Sequence, residues 1–253
     1  MAKPIILADN RFLDAPPTAS GTAAGFDALH IADGRSYTFW QAPAAGTWYL
    51  TVQSPAAAKA DCLGIIGHNL GSAAALVSVE RSMDGATWST VIAPFKPVDD
   101  KALLKNFTSR YGLYWRLKIV TAGSAPYLAV AMIGSRIEFP FPPNSPFVPY
   151  SASVVEESAT SKTGNPLGTV VRYFPIDILP AFSLIDRVWV EQTYRPFWEG
   201  HARYRRYFFW AWDTDTYPEM VFFVKDIGKY DPSVSVLAYY DSLKLQLQGV
   251  MEL

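Results

Sequence analysis

The chain has 253 residues, enough for one large or two modest domains with real cores. Its 22 Lys and Arg nearly balance 23 Asp and Glu, and the net charge of −1 argues against a globally basic nucleic-acid or membrane-surface binder. Only 18% of residues are charged while 15% are aromatic, a balance that predicts extensive surface buried against neighbouring chains.

The opening "MAKPIILADNRFLD" has one lysine and an apolar run too short for a signal-peptide core. No run approaches the ~18 apolar residues of a membrane helix, so no membrane insertion is expected. From Ser36 onward short alternating segments recur: "SYTFWQA", "TWYLTVQ", "CLGIIGH", "ALVSVER", "TWSTVIA", "YWRLKIV" and "YLAVAMIG". Period-2 alternation punctuated by 16 Gly and 19 Pro predicts an antiparallel all-β sandwich or barrel. The lone cysteine, Cys62, lies in the apolar "ADCLGII" and reads as a buried, inert thiol. It cannot form an internal disulfide, so folding needs no oxidising compartment.

"GHNLG", residues 67–71, imitates the G-x-S-x-G elbow of esterases, but Asn69 holds the nucleophile's place and a carboxamide is no nucleophile. A Gly-rich turn after a strand is the expectation. In "VSVERSMDGATWSTVIAPF", Asp84-Gly85 sits between two alternating runs and predicts a β-hairpin, because glycine tolerates the positive φ of a tight turn. "DDKALLKNF" fits one brief helix or a loop.

Residues 139–150, "FPFPPNSPFVPY", interrupt the pattern with five prolines and predict a stiff, extended boundary between domains 1–138 and 151–253. Phe139, Phe141 and Phe147 imply that this segment packs on something. Strands are expected again in "GTVVRYFPID", "IDRVWVEQTY", "RYFFWAWD", "MVFFVKDI" and "SLKLQLQGV", giving a second antiparallel β domain. "WDTDTYPE" sets Asp213 and Asp215 two apart, but the glycine and terminal glutamate of a calcium loop are missing. A turn between strands explains it better. His30, His68 and His201 have no metal-site spacing, so no metal or cofactor is expected.

"HARYRRYFFW" is the basic-aromatic cluster of the chain. Interleaving of this kind can track a nucleic-acid strand. With a net charge of −1, an intersubunit contact through Trp198, Arg203, Arg205, Arg206 and Tyr207 is the stronger expectation. Trp40, Trp48 and Trp88 could stack on a sugar or fill a core, since each lies in or beside an alternating strand. No nucleophile, base and orienter stand at plausible spacing, so the chain does not read as an enzyme.

Two resemblances follow from these residues. "S-M-D-G-A-T-W" (Ser82–Trp88), then Tyr114-Trp115-Arg116-Leu117-Lys118-Ile119 and "PYLAVAMIGSRIE", resemble in order the discoidin or coagulation-factor type C family. That implies a galactose-binding-like jelly roll in the first domain, without the paired cysteines of its extracellular members. Its ligand loops are not matched, so a host-surface glycan bound through Trp40 and Trp48 is an alternative and not a carried-over site. The whole chain, with "IILADNRF", the discoidin-like middle and "GHARYRRYFFWAWDTDTYPEMVFFV", looks like tail-tip or baseplate proteins of tailed bacteriophages. This resemblance implies a structural virion protein, made in the host cytoplasm, forming a homo-oligomeric ring and contacting other tail proteins. Residues 151–253 would then carry the subunit contacts while 1–138 projects as a separately folding unit.

Overall fold

The structure, a computed structural model, describes residues 3–251 apart from residue 237. The first part of the chain forms β1 (Ile5–Leu7), β2 (Thr18–Ala19), β3 (Trp40–Gln41), β4 (Thr47–His68), β5 (Leu76–Ser82), β6 (Ser89–Phe95), β7 (Leu103–Val120), β8 (Tyr127–Gly134) and β9 (Ile137–Glu138). All pairings are antiparallel, and one sheet runs β3-β8-β4-β7-β5-β6 with β2 on the flank of β4.

The segments "TWYLTVQ" and "CLGIIGH" belong to one 22-residue strand, β4, paired along its length with the 18-residue β7. Register breaks between Gln53 and Ala58, where Pro55 removes a ladder donor and the β7 partner is Gly112. The ribbon serves two layers on either side of this break. Cys62–His68 joins β8, while Tyr114–Val120, paired with Thr47–Gln53, joins β5 and through it β6. Trp40, Leu50, Leu63, Ile65, Trp115 and Leu117 are buried in the core of this sandwich. The short helical turns Arg11–Leu13 and Ala28–Ala32 close it with Phe12 and Ile31.

"DDKALLKNF" forms no helix. Leu103 and Leu104 pair with Ile65 and Gly64 of β4 and point to opposite faces, so tertiary pairing decides their conformation.

The second part adds β10 (Ser151–Ala152), β11 (Val155–Thr160), β12 (Pro166–Tyr173), β13 (Pro175–Ile178), β14 (Ala181–Asp186), β15 (Phe208–Ala211), β16 (Val221–Asp226), β17 (Ser233–Val236), β18 (Tyr239–Lys244) and β19 (Leu247–Val250). A seven-stranded sheet runs β10-β13-β19-β16-β15-β1-β9, a three-stranded sheet runs β14-β18-β17, and β11-β12 is a hairpin by itself. The fold is all-β, a sandwich followed by a second antiparallel β unit.

The layers do not part at residue 138. β1 and β9, expected in the first domain, are strands of the second unit's sheet: Ile6 pairs with Trp210 and with Ile137. Both faces of that sheet are covered. Phe209, Ala211, Val221 and Phe223 face Cys62, Ile66, Val130 and Met132 of the sandwich in one continuous apolar layer. Phe208, Trp210 and Val224 face the opposite way into a second core with Phe182, Tyr194 and Leu243. This is why "YFFWAW" reads as an unbroken apolar run. The first unit thus shares strands and a buried layer with the second. Each large side chain in the shared layer contributes about 1.5–3 kcal/mol by burial.

The Pro-rich segment is part of this second core. Phe139 is buried and stacks 4.4 Å from Phe182, Phe147 meets Trp212 at 5.8 Å, and Tyr150 meets Phe222 at 5.3 Å. "RVWVEQTYRPFWEG", expected as a strand in its first half, is helical from Arg187 to Gly200, with a π turn at Val190–Tyr194. Asp186 caps it by accepting from Trp189 N. Val190, Tyr194 and Phe197 are buried at helical spacing, which outweighs the Val188/Val190 alternation.

Candidate functional site

The two motifs behind the discoidin resemblance meet on the outer face of the sandwich. In the β5–β6 hairpin, Ser82 Oγ accepts from Gly85 N (2.9 Å) and donates to Asp84 Oδ1 (2.7 Å). Asp84 Oδ1 in turn accepts from Ala86 N and Thr87 N. These donors, Thr87 N–H foremost, hold the Asp84 carboxyl well below the usual carboxylate range. Gly85 takes φ +74°, and a Cβ there would meet the Tyr114 ring at 3.2 Å. The turn carries Trp88 back over the sheet.

On β7, Trp115, Leu117 and Ile119 point into the core. The alternation leaves Tyr114, Arg116 and Lys118 on the other face. Arg116 stands opposite Glu80 of β5 and donates to its Oε2 from Nε at 2.6 Å and from Nη2 at 2.5 Å. The guanidinium lies 3.8 Å from the Trp88 ring centroid and 4.3 Å from that of Tyr49 on β4. Lys118 Nζ is 3.9 Å from Glu80 Oε1 and 5.9 Å from the Tyr49 ring. Both rings are half-buried, and Arg116 and Glu80 keep 19% and 10% of their side-chain surface. The face thus combines flat aromatic surface with a fixed cation and carboxylate. It can pack against an apolar edge and exchange hydrogen bonds at its rim.

The two tryptophans expected at a glycan lie elsewhere. Trp40 is fully buried and its indole N–H donates to Gly21 O at 3.1 Å, so it is core. Trp48 faces the same core from the rim, donates to Ala44 O, and covers Gly21 so closely that a Cβ there would lie 2.1 Å from its ring. Trp40 therefore offers no ring face to a sugar, while Trp48 is half-buried with Gly21 packed on its ring. Trp88, the third tryptophan considered, is the one on the outer face.

The proposed contact residues of the second unit are likewise divided. The strand alternation expected for "HARYRRYFFW" is replaced by a 3-10 turn, Ala202–Tyr204, with Arg205 left-handed at φ +57° before β15 begins. Arg203 and Arg206 are exposed and flank the Tyr204 ring at 4.7 and 5.3 Å. Arg205, also exposed, donates to Asp226 O (2.6 Å) and Gly228 O (3.1 Å). Tyr207 stacks on Phe223 at 5.2 Å, and Trp198 sits 5.2 Å from Tyr230. Only the Arg203–Tyr204–Arg206 portion presents one surface.

The rejected motifs have structural roles. Asn69 donates to Ala125 O and accepts from Tyr127 N. Asp213 accepts from Asp215 N and Thr216 N and closes the turn between β15 and β16. Burial pushes the Cys62 thiol far above its ordinary value. Two features escaped sequence reasoning. A hollow of about 450 Å³ lies between 95–106 and 214–219, with Lys96, Lys101 and Lys105 facing Asp215 and Glu219. The β11–β12 hairpin is exposed along its length.

No protein-family model matches the chain and no curated protein matches it. Solved structures similar to about half of the chain include chitosan-binding module 1 of a chitosanase/glucanase from Paenibacillus sp. IK-5, 23% identical, covering 49% of this chain and 97% of that one with a TM-score of 0.43. A CBM32 module from Clostridium perfringens in complex with GalNAc-β-1,3-galactose is 12% identical over 50% and 99% of the two chains, TM-score 0.44. The CBM32 of AlyQ in complex with 4,5-unsaturated mannuronic acid is 18% identical over 47% and 93%, TM-score 0.41.

Proposed function

We propose that the chain is a non-catalytic binding protein whose sandwich takes up carbohydrate across the Tyr49–Arg116–Trp88 face. The observation that carries this reading is the pair of half-buried rings fixed around one guanidinium, with Glu80 and Lys118 beside them. A pyranose would pack its C–H surface on the rim of Trp88 and Tyr49. Lys118 and the outer edges of Arg116 and Glu80 would exchange hydrogen bonds with its hydroxyls. Glu80 already orients the guanidinium, so little side-chain freedom is lost on binding.

The test is a glycan array on the full chain, followed by calorimetric titration of the best ligand with Trp88→Ala and Tyr49→Ala. Binding lost in both variants, with unchanged circular dichroism, supports the reading. An array without binding, or binding that survives both substitutions, overturns it.

A second reading is a structural role in a larger assembly, the tail-tip protein expected from the sequence. The specific observation in its favour is the β11–β12 hairpin, exposed along its length except at Val155. Electron microscopy of the purified chain would test it, with closed rings supporting the role and dispersed single particles opposing it.

A further inference from the structure

We infer that the hairpin Val155–Tyr173 is an intermolecular arm that docks on the β17–β18 edge of a second copy of this chain. Every residue of β11 and β12 is exposed except Val155, which is half-buried. A two-stranded hairpin is marginal in water without a surface to pack on. Its strands are also unlike each other. β11 is polar, with Glu156, Glu157, Ser158 and Thr160, whereas β12 carries Leu167 (69% exposed), Val170 (58%), Val171 and Tyr173. Apolar residues on both faces of one strand suit a strand covered on both sides.

The charges favour a copy of the same chain over a charged partner. Glu156 and Glu157 are balanced by Lys162 and Arg172, and Arg172 pairs with Glu157 inside the arm. The arm is neutral and the chain carries only −1, so no field directs the arm towards a nucleic acid or a strongly charged protein. The chain also holds a surface of matching character. In the β14-β18-β17 sheet, β17 is an outer strand, and Val234 and Tyr239 are exposed beside it. An added strand there would satisfy main-chain groups while Leu167, Val170 and Val171 cover those side chains. Reciprocal exchange between two copies uses two arms and two edges. It therefore brings 14 strand residues per subunit, 6 from β11 and 8 from β12, into one isologous interface. A standard interface takes roughly 20–30 residues a side, and the receiving edge supplies the remainder.

The arm can be altered without harm to the body. At its base Ser153 N donates to Pro175 O, and Ala152 pairs with Ile176, so a two-residue Asn-Gly turn can replace 155–173. Sedimentation across a concentration series should find wild type self-associating. Val171→Lys on the arm and Tyr239→Lys on the edge should each weaken association by roughly tenfold or more, since each puts a charge into the contact. Val234→Lys serves where Tyr239→Lys misfolds. An equimolar mixture of the arm and edge variants should recover part of the lost association, because one intact arm then meets one intact edge. A wild type that stays monomeric overturns the inference. So does association that persists in the arm-less chain, or a mixture that recovers nothing.

Discussion

Glu80 and Arg116 stand directly opposite each other on β5 and β7, and the carboxylate fixes the guanidinium that Trp88 and Tyr49 enclose. The order of dependence is legible in this geometry. Removing Trp88 takes away one ring and leaves the ion pair. Removing Glu80 leaves a cation in a largely covered place without its anion. Glu80→Ala should therefore cost about 1.5–3 kcal/mol, the range for hydrogen bonds to charged groups. Trp88→Ala should cost less, about 0.5–2 kcal/mol. Urea unfolding of the two variants measures both, and the reverse ranking would show that the rings, not the carboxylate, hold Arg116.

Gly64 and Phe209 bind the two units together. A Cβ on Gly64 of β4 would lie 2.6 Å from the Phe209 ring of β15, so only glycine lets that ring rest on the strand. With the buried layer around it, this contact predicts that the whole chain unfolds in one transition. Gly64→Val should lower the stability of both units together, by about 1–3 kcal/mol for overpacking. Scanning calorimetry is the check. Two resolved transitions in the wild-type chain would mean that the sandwich is an independent domain after all.

What the sequence revealed and concealed follows from range. The hairpin at Asp84-Gly85 and the alternation Tyr114–Ile119 are local signals, and both stand in the structure where they were read. β4 looked like two strands because Pro55 resembles a terminator, whereas here it marks a bend within one. Whether Trp40 or Trp88 faces solvent depends on which side of each strand is covered, and that is settled by residues far away in the chain. The assignment of Ile5–Leu7 to the second unit rests on partners at 209–211, about as non-local as this chain permits. Arg205 could not be separated from Arg203 and Arg206 by type. Its left-handed backbone after a short turn directs its guanidinium to the carbonyls of Asp226 and Gly228.

One buried histidine, His68, and one half-buried histidine, His201, predict loss of stability in mild acid. Burial lowers the pKa of His68 and His201 below 6.5. Leu70 N–H donates to His68 Nδ1 while Nε2 faces Lys101 O at 3.0 Å, so protonation breaks the first of these bonds. Asp99 and Asp100 near His68 oppose the lowering, and Arg206 adds to it at His201. The unfolded chain takes up these protons near pH 6.5 and the folded chain only at lower pH. Stability therefore falls as the pH drops through that interval and levels off below the folded values. Asp226 acts in the opposite sense: burial raises its carboxyl, so its contribution grows as the pH falls towards 3.8. Urea unfolding at about pH 7.5 and about pH 5.5 should show the fall in wild type and a smaller one in His68→Gln. An equal fall in both would remove His68 from the explanation.

Two glycines distinguish a yielding neighbour from a fixed one. A Cβ on Gly134, at the end of β8, would lie 2.0 Å from the backbone oxygen of Asp9. A Cβ on Gly21 would lie 2.1 Å from a ring carbon of Trp48, a half-buried side chain at the rim. The clearances are nearly equal, so the difference in cost must come from what has to move. The Asp9 backbone is held in place because its carboxylate accepts from Ser135 N and pairs with Arg11, and the neighbouring Asn10 bonds Ala131 O. Trp48 can rotate outward at the price of its bond to Ala44. Gly134→Ala should therefore cost about 3 kcal/mol or more, at the upper end for overpacking, and Gly21→Ala about 1–2 kcal/mol. Thermal unfolding of the two variants gives the comparison, and tryptophan fluorescence should shift only in Gly21→Ala. Equal losses, or a fluorescence change confined to Gly134→Ala, would show that the β8 end yields more readily than the Trp48 rim.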